Sequence, residues 1–411
     1  MKTTTGSLRI SLRCLLVVGF ILTPLCSLAA MDYGLLFDNN VSYDAAGDEG
    51  ETKYSGTLVP WFSMPIEETA DLYISAGAAA KYEDKKWNII PELLRTEATL
   101  RMGEDGELHI GRMPYSDPLG FVVSGLFDGA RYSHDLADGS RLGAGVWYTG
   151  FLYKKSANIT MTQDELVSYN APVEYANFLD TYFAPQRVLA AADWEHPGIN
   201  EFIRLRLTLA GQFDLSGSDI LYHTQYLMAK AMMPVQAFVF ELGACLELAE
   251  MENLYQFAFA GELGIGWPLP TYLNDRLMFT GRFSSGTNDD DSTIRAFVPI
   301  TSEPQGNIIK EKISGLSTIK LDYSARLYST LSISLTSMYF ILSELDTYQG
   351  PPGGKDGYFL GNEFYGRAIW SPLSDLRITA GGGIFLPSLG NADKNGGNFW
   401  RVDLGVLLAL F

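Results

Sequence analysis

Residues 255–267 read Tyr-Gln-Phe-Ala-Phe-Ala-Gly-Glu-Leu-Gly-Ile-Gly-Trp, so large apolar side chains alternate with small or polar ones. A period of two places successive side chains on opposite faces of an extended strand. A helix would instead spread the aromatic side chains around its circumference and mix them with Gln256 and Glu262. This stretch therefore predicts a β-strand with one strongly apolar face.

The same period of two recurs along the chain after residue 50. Residues 142–152 show it, and residues 203–210 alternate isoleucine and leucine with arginine, threonine and alanine. Continuing the pattern gives about eighteen strands of roughly ten residues, the length that a tilted strand needs to cross a bilayer. Sixteen strands is the alternative, because Pro60 and Pro91 weaken the second and fourth strands: proline has no N–H to donate.

The predicted connections alternate in character, because the even-numbered ones are mostly tight turns and the odd-numbered ones are polar and often long. Short periplasmic turns and long extracellular loops are typical of a transmembrane antiparallel up-and-down β-barrel. An all-β barrel with an even strand number would place both termini in the periplasm. The predicted extracellular loops are residues 44–51, 83–87, 114–125, 153–186, 214–219, 249–253, 286–313, 343–357 and 387–397.

The N-terminus has the pattern of a secretory signal peptide. A basic start is followed by the apolar run Cys14–Cys26 and then by small residues that include Ala29 and Ala30. The run is too short for a membrane-spanning helix. We expect residues 1–30 to be the signal peptide and residues 31–411 to form a single outer-membrane barrel domain.

Composition excludes several function classes. The formal net charge is −18 at pH 7, which argues against nucleic acid as a partner, since a phosphate-binding surface is basic. Cys245 is the one cysteine after residue 30, so neither an internal disulfide nor a cysteine-ligated metal site is expected. The four histidines are scattered and no catalytic motif is present. We expect no enzyme activity, no catalytic residues, no metal and no cofactor.

Three tryptophans, Trp61, Trp267 and Trp370, each precede a proline in a predicted periplasmic turn. Tryptophan is enriched where a barrel crosses the headgroup region of a membrane, so these residues are predicted to form an interfacial belt. The alternative is that Trp-Pro turns occur in any β protein.

The last segment, residues 398–411, resembles the terminal strand of Gram-negative outer-membrane barrels. Phe411, Ala409 and Leu407 fit its pattern of a final aromatic residue preceded by alternating apolar ones. The resemblance implies that the barrel assembly machinery recognises this strand. Asp403 departs from the pattern and the opposite parity is also apolar, so the membrane-facing parity of this strand stays open.

A second resemblance covers Ile110-Gly111-Arg112 and the segment 127–132, which reads Phe-Asp-Gly-Ala-Arg-Tyr. Porin-like families, including alginate-export-type channels, carry a similar Gly-Arg strand end, a loop and an Asp-Gly strand start. The resemblance covers roughly twenty residues and implies a large barrel of the porin-like kind, without naming a solute.

Charged residues fall opposite the apolar parity of the predicted strands. An arginine facing lipid at the bilayer midplane would cost about 2–4 kcal/mol, so these side chains are expected to face the lumen. They would create a field across a water-filled pore; the alternative is that they form ion pairs that brace the wall. The predicted pore-lining residues are Arg95, Glu97, Arg101, Arg204, Arg206, Glu262, Arg282, Glu363, Arg367 and Arg377.

The longest predicted loop, residues 153–186, is rich in aromatic and apolar side chains, including Tyr175, Phe178 and Tyr182. A loop with so many apolar side chains is expected to pack against other parts of the protein rather than extend into water. Two hypotheses remain open: the loop folds into the lumen and narrows it, or it packs as a cap on neighbouring loops.

These patterns predict a porin-like channel for passive diffusion of small hydrophilic solutes through a charged lumen. The alternative is a surface-exposed structural or adhesin barrel with a plugged lumen. The expected partners are outer-membrane lipids, the barrel assembly machinery and small solutes, with a homo-oligomer possible in either case. A secreted β-sandwich is a third class, which would have to bury the aromatic faces against a second sheet.

Overall fold

A computed structural model describes residues 31–411 except for short gaps, and the predicted signal peptide 1–30 lies outside the described residues. The gaps are residues 48, 67, 84, 201, 218–220, 252–253, 288–293, 346–347, 349 and 351–355.

The described residues form one antiparallel sheet of 18 strands, in which each strand pairs with its sequence neighbours. The sheet closes on itself because β1 pairs with both β2 and β18. This confirms the predicted up-and-down barrel and the count of eighteen rather than sixteen. The strands are β1 Asp32–Ala46, β2 Glu49–Ile66, β3 Ala70–Glu83, β4 Lys86–Met102, β5 Gly106–Ser116, β6 Ser124–Asp135, β7 Arg141–Tyr148, β8 Arg187–Ile199, β9 Ile203–Asp214, β10 Tyr222–Val235, β11 Phe238–Met251, β12 Leu254–Pro268, β13 Arg276–Ser284, β14 Leu316–Tyr328, β15 Leu331–Leu342, β16 Phe359–Leu373, β17 Leu376–Leu386 and β18 Phe399–Leu410.

The odd-numbered connections meet at one end of the barrel, called the loop end here, and the even-numbered ones meet at the other, the turn end. Three connections matter below: loop 3 (residues 117–123), loop 4 (149–186) and loop 7 (285–315). The predicted loops 44–51, 83–87 and 249–253 are two-residue connections instead, because strand pairing continues to the tip of each hairpin.

Short helices occur in loop 4 and before β18. The helix α2 begins with a capping box, in which the Thr162 hydroxyl accepts from the Glu165 amide and the Glu165 carboxylate accepts in return. Nowhere in the described part of the chain is a helix long and apolar enough to cross a membrane. The helices are α1 Lys154–Ala157, α2 Gln163–Asn170 and α3 Phe178–Tyr182, with 3₁₀ turns at Tyr175–Asn177 and Pro387–Leu389.

The outer face of the barrel is apolar and the inner face is mixed, as the alternation predicts. On β9, Leu209 is 60% exposed while the adjacent Thr208 is 1% exposed. On β18, Val402 is 60% exposed and Asp403 is 7% exposed, which resolves the parity of the last strand. Leu407 and Ala409 therefore share the inner face with Asp403, and their proposed role in assembly stays a prediction.

The three tryptophans of the predicted belt differ in their surroundings. Trp267 and Trp370 are exposed on the barrel surface. The Trp61 ring instead stacks on Tyr73, with 6.1 Å between ring centroids, and lies 6.0 Å from the ring of Phe411. Membership of an interfacial belt stays a prediction for all three.

One part of the wall lacks strand pairing. The ladder between β4 and β5 runs only from Met102↔Gly106 to Thr96↔Arg112. Beyond that point, residues 86–93 of β4 pair with β3 alone, after an irregularity between Ile74 and Ala76. The barrel thus has a gap in its ladder, between β4 and β5, towards the loop end.

The two faces of β14 provide a test of which side of the barrel wall contacts lipid. The exposed Leu321 lies on the outer face, next to Lys320, which forms an ion pair of 2.9 Å with Asp322 on the inner face. In lipid vesicles, L321R should lower the free energy of unfolding by about 2–4 kcal/mol.

The control K320R keeps a cation on the inner face and should change the free energy by less than about 0.5 kcal/mol. The free energy of unfolding of both variants is measured by chemical denaturation, with the folded fraction read from heat-modifiable migration on a gel. Equal stability of the two variants would contradict the assignment of the outer face to lipid.

Candidate functional site in the lumen

Loop 3 folds into the barrel around a buried carboxylate. One oxygen of Asp117 accepts hydrogen bonds from the amides of Leu119 and Gly120, at 2.7 and 2.9 Å. The other accepts from Val122 and Val123, at 2.9 and 2.8 Å. The Asp117 residue is 4% exposed, and burial raises the pKa of its carboxyl while the four amide donors oppose that rise. The loop is therefore a compact turn in which one carboxylate satisfies four backbone amides.

The apolar side chains of loop 3 pack inside the barrel. Leu119 occupies the space left by Gly243 of β11, where an added Cβ would lie 2.5 Å from a Leu119 methyl carbon. The Phe121 ring centroid lies 5.3 Å from the guanidinium of Arg282 on β13 and 6.3 Å from the Phe297 ring of loop 7. Loop 3 thus reaches from its own strands to β11 and β13.

Loop 7 joins loop 3 through backbone hydrogen bonds. The amides of Ile300 and Thr301 both donate to the carbonyl of Val122, at 2.8 and 3.1 Å. The Ser124 amide donates to the Thr301 hydroxyl at 3.0 Å. Because these contacts are largely main-chain, the two loops form a single unit.

A second buried carboxylate holds the far part of loop 7. Glu363 of β16 is 0% exposed and accepts from the amides of Asn307, Ile308 and Ile309, at 2.8, 2.9 and 3.1 Å. The sequence places Glu363 correctly on the inner face but does not reveal this contact. Glu363 anchors a loop through its amides and pairs with no arginine among the described residues.

The first part of loop 4 completes the unit. The Ser302 amide donates to the Asn158 carbonyl at 2.9 Å, and the Lys312 ammonium donates to the Thr160 carbonyl at 2.9 Å. The side chains of Ala157, Ile159 and Met161 are buried with those of loops 3 and 7. We call loops 3 and 7 with residues 157–161 the inner plate.

The inner plate changes the prediction about the longest loop. Loops 3 and 7 contribute buried side chains to the packed interior, and the sequence did not indicate that these two loops fold inside the barrel. Helix α2 of loop 4 has no buried residue and lies towards the outside. Neither hypothesis for loop 4 describes it fully, because one part joins the inner plate and another part covers the gap beside β4.

Most of the predicted lumen arginines have carboxylate partners. The resulting ion pairs are Arg95–Glu97 at 2.6 Å, Arg101–Asp71 at 2.6 Å, Arg204–Glu195 at 3.2 Å, Arg206–Asp193 at 3.2 Å and Arg282–Glu262 at 2.6 Å. The alternative of ion pairs that brace the wall thus describes the contacts of these five arginines.

Arg367 and Arg377 differ from the other predicted arginines, since both are exposed and neither forms an ion pair within the described residues. Register places Arg367 opposite Gly381, and Gly381 opposite Asp403, so Arg367 shares the inner face. Arg377 lies opposite Leu407 in the register of β17 and β18, so its side chain is on that same face. These two guanidinium groups lie inside the barrel without a fixed counter-charge.

Loop 7 brings a lysine to the same sector of the barrel. The Lys310 ammonium lies 3.9 Å from Asp44 of β1, and its side chain is 50% exposed. Burial lowers the pKa of Lys310, and the nearby Arg401 lowers it further. Arg401 of β18 is itself paired with Asp44 at 2.7 Å and with Asp403 at 3.3 Å. The sector from β16 to β1 therefore carries four cations, Arg367, Arg377, Lys310 and Arg401, beside the carboxylates Asp38, Asp44 and Asp403. We call it the cationic sector because Arg367 and Arg377 have no ion-pair partner among the described residues.

The two halves of the porin-like motif meet in space. Arg112 forms a two-point ion pair with Asp128, at 2.8 and 2.7 Å, across β5 and β6. The same guanidinium donates to the carbonyls of Leu93 and Phe151. The motif therefore fastens β4 and loop 4 to the β5–β6 hairpin.

Comparison with known proteins finds similarity in structure only, since no family model and no curated protein matches this sequence. The barrel resembles Pseudomonas aeruginosa OccK2 (OpdF) in complex with glucuronate, at a TM-score of 0.60 and 13% identity, covering 93% of this chain and 96% of that one. It resembles OpdK from the same organism, solved with vanillate, at a TM-score of 0.60 and 14% identity, covering 92% and 98%.

A third structure, Pseudomonas aeruginosa OprD, has a TM-score of 0.58 and 13% identity, covering 93% of this chain and 95% of that one. The likeness extends over nearly the whole of each chain. This protein therefore has the fold of a porin-like outer-membrane β-barrel.

The anchoring role of Glu363 can be tested by hydrogen exchange. Hydrogen bonds to a charged group contribute about 1.5–3 kcal/mol each, so E363A should raise exchange at the amides of Asn307, Ile308 and Ile309 at least about tenfold. Strand amides should exchange as before. A control, E195A, removes a half-exposed carboxylate paired with Arg204 and should leave loop 7 unchanged. Unaltered protection of loop 7 in E363A would show that the carboxylate does not hold it.

Proposed function

We propose that this protein is an outer-membrane channel for passive diffusion of small hydrophilic solutes, with a preference for anions. The observation that carries the proposal is the cationic sector of the lumen, where Arg367 and Arg377 form no ion pair among the described residues and Lys310 projects from loop 7. An unpaired guanidinium can bind a carboxylate through two parallel hydrogen bonds.

The paired arginines have a second role in this proposal. Arg95, Arg101, Arg204, Arg206 and Arg282 each already contact a carboxylate, so they would hold the wall's charge pattern in place. Rows of paired charges, with Glu97 and Glu262 among them, create a field across a pore without binding a solute tightly. Conduction requires weak, repeated contacts rather than one strong site.

The inner plate would set the size of the passage. It packs against strands β5 to β13 through loop 3 and against β16 through Glu363. The remaining passage would then run along the cationic sector between β16 and β1. A solute would cross the narrowest level beside Lys310 and then meet Arg367 and Arg377.

The neighbouring structures agree with an anionic solute. OccK2 was solved with glucuronate and OpdK with vanillate, and both of these compounds are carboxylates. Identity of 13–14% carries over no residue and no solute to this protein. The proposal for anions therefore rests on the cations of this lumen and needs no catalytic step.

The proposed location follows from the fold. In an outer membrane the turn end and both termini would face the periplasm. The loop end, from which loops 4 and 7 extend, would face the cell exterior. Lipids would contact the apolar outer face, and the assembly machinery would bind the last strand, β18, together with Phe411, which follows it. A homo-oligomer is compatible with this arrangement.

A plugged barrel is the second candidate function, and one observation favours it. The apolar side chains of loops 3 and 7, such as Phe121 and Phe297, are almost fully buried, so the inner plate is densely packed. If the plate also closes the cationic sector, the barrel would act through its surface loops. Purified protein would then insert into bilayers without conductance.

Ion selectivity tests the anion proposal. Wild-type protein should give stable single-channel conductance with anions more permeant than cations. The double variant R367Q/R377Q should lower the anion-to-cation permeability ratio about two- to fivefold, because two fixed positive charges leave the lumen. Reversal potentials in a salt gradient measure this ratio.

The matched control is R141Q, which removes an exposed arginine whose partner is Asp135 at the turn end. Its permeability ratio should equal that of the wild type. A ratio that does not respond to R367Q/R377Q would exclude these arginines as the source of selectivity.

A further inference from the structure

The gap between β4 and β5 is bridged by loop 4 rather than by another strand. The Tyr175 hydroxyl accepts from the Ile89 amide at 3.1 Å and donates to the Ile89 carbonyl at 2.6 Å. The Tyr182 hydroxyl donates to the carbonyl of Pro91 at 2.7 Å. Pro91 has no N–H, which suits an unpaired edge. Three side-chain hydrogen bonds thus satisfy an edge of β4 that would otherwise need a neighbouring strand.

Aromatic side chains of loop 4 fill the space beside this edge. Tyr153 and Tyr182 pack with Ile90 in a small buried cluster, and their ring centroids are 4.9 Å apart. The Phe178 ring stacks on Tyr182 at 4.4 Å. These contacts are apolar side-chain packing, which can separate without breaking a strand ladder. We call residues 162–183, which follow the part of loop 4 that belongs to the inner plate, the gate segment.

A cavity of 510 Å³ lies behind the gate segment, at the gap between β4 and β5, and residues of both faces of the wall line it. From β4 it is lined by Glu92 and Leu94, which lie on the inner face, since Leu94 is the nearest side chain to a Cβ added at Gly77 beside Val59. From β5 and β6 it is lined by Pro114 and Leu126, which are cross-strand partners.

Pro114 and Leu126 belong to the outer face. They have the same parity as Ile110 and Tyr132, which are both exposed on the outside, whereas the neighbouring Phe127 is fully buried inside. The cavity therefore lies between the inner face of one strand and the outer face of the next. A space bounded in this way lies within the wall, between the lumen and the outer surface of the barrel.

We propose that this lateral cavity binds a single-chain amphiphile, with the gate segment as its movable cover. Leu94, Pro114, Leu126 and Leu152 would contact a hydrocarbon chain, as apolar pocket walls do. The polar end of the cavity carries the Glu92 carboxylate, which accepts from the Ser156 hydroxyl at 2.8 Å and would accept from a hydroxylated head group.

Arg112 also borders the cavity but is not available to an anion. Its guanidinium is already bound by Asp128 and by the carbonyls of Leu93 and Phe151. The free acceptor at the polar end is therefore an anionic carboxylate, which disfavours a negatively charged head group. A sugar or other neutral hydroxylated head group fits this chemistry, so the inference is separate from the proposed passage of anions.

Photolabelling tests the cavity directly. Wild-type protein in lipid nanodiscs is illuminated with a dodecyl maltoside that carries a diazirine on its alkyl chain, and labelled peptides are mapped by mass spectrometry. Peptides containing Leu126 and Leu152 should be labelled, and excess unmodified dodecyl maltoside should remove that label. S156F fills the cavity and should reduce the label at least fivefold. The control S156A keeps the volume and should retain it.

The cover is tested by Y175F/Y182F, which removes both hydroxyls and keeps the aromatic packing. Labelling of the same peptides should rise at least twofold, since the edge of β4 loses the bonds that hold the gate segment. Label on the peptide containing Leu209, on the outer face, should be equal in all variants, and heat-modifiable migration confirms folding.

Two results would overturn the inference. One is labelling at Leu126 and Leu152 that excess dodecyl maltoside does not remove from the wild type. The other is equal labelling of these peptides in S156F and S156A, when both variants are folded. Neither result depends on whether the barrel conducts ions, so a failure here is distinguishable from a failure of the channel proposal.

Discussion

A chain that crosses a bilayer as strands must satisfy every backbone N–H and C=O group within the protein, because lipid offers no partner. Three devices meet this constraint here. Strand pairing closes most of the barrel through the contact of β1 with β18. Buried carboxylates, Asp117 and Glu363, accept the amides of loops 3 and 7 inside it. Side chains of loop 4, with Tyr175 as the main one, satisfy the edge of β4 where no strand does.

The buried carboxylates and the side chains of loop 4 shape the two parts of the barrel to which we assign functions, the lumen and the lateral cavity. Because Asp117 and Glu363 bind loop amides rather than arginines, two loops stay folded inside the lumen. Arg367 and Arg377 have no ion-pair partner among the described residues, and they lie in the cationic sector between β16 and β1. The lateral cavity arises because side-chain contacts can close a gap in a ladder yet leave space behind them.

Much of the fold follows from the sequence. The alternation in residues 255–267 and its repeats predicted the barrel, the strand count of eighteen and the inner placement of residues such as Arg206, because a period of two leaves only two faces to choose from. Most loop positions also followed from composition. The predicted loops 44–51, 83–87 and 249–253 were too long, since polar residues near a hairpin tip can continue the ladder.

The lumen was less predictable, because its contacts join residues far apart in the chain. Nothing local marks Asp117 as an amide acceptor, although the following Pro-Leu-Gly segment signals a turn. Glu363 meets loop 7 across more than fifty positions, and the pairing of Tyr182 with Pro91 spans ninety-one. The gap beside β4 had one signal in the sequence, Pro91. Because proline has no N–H to donate, it weakened the prediction of the fourth strand.

Liposome swelling measures whether the barrel holds an open passage for small solutes. Proteoliposomes are diluted into isotonic sugars, amino acids and organic anions of increasing size. If the passage is open, small solutes should cause swelling up to a size limit set by the inner plate. Carboxylates should enter faster than neutral solutes of equal size. Swelling no faster than in protein-free liposomes, with folded protein inserted, would contradict an open passage.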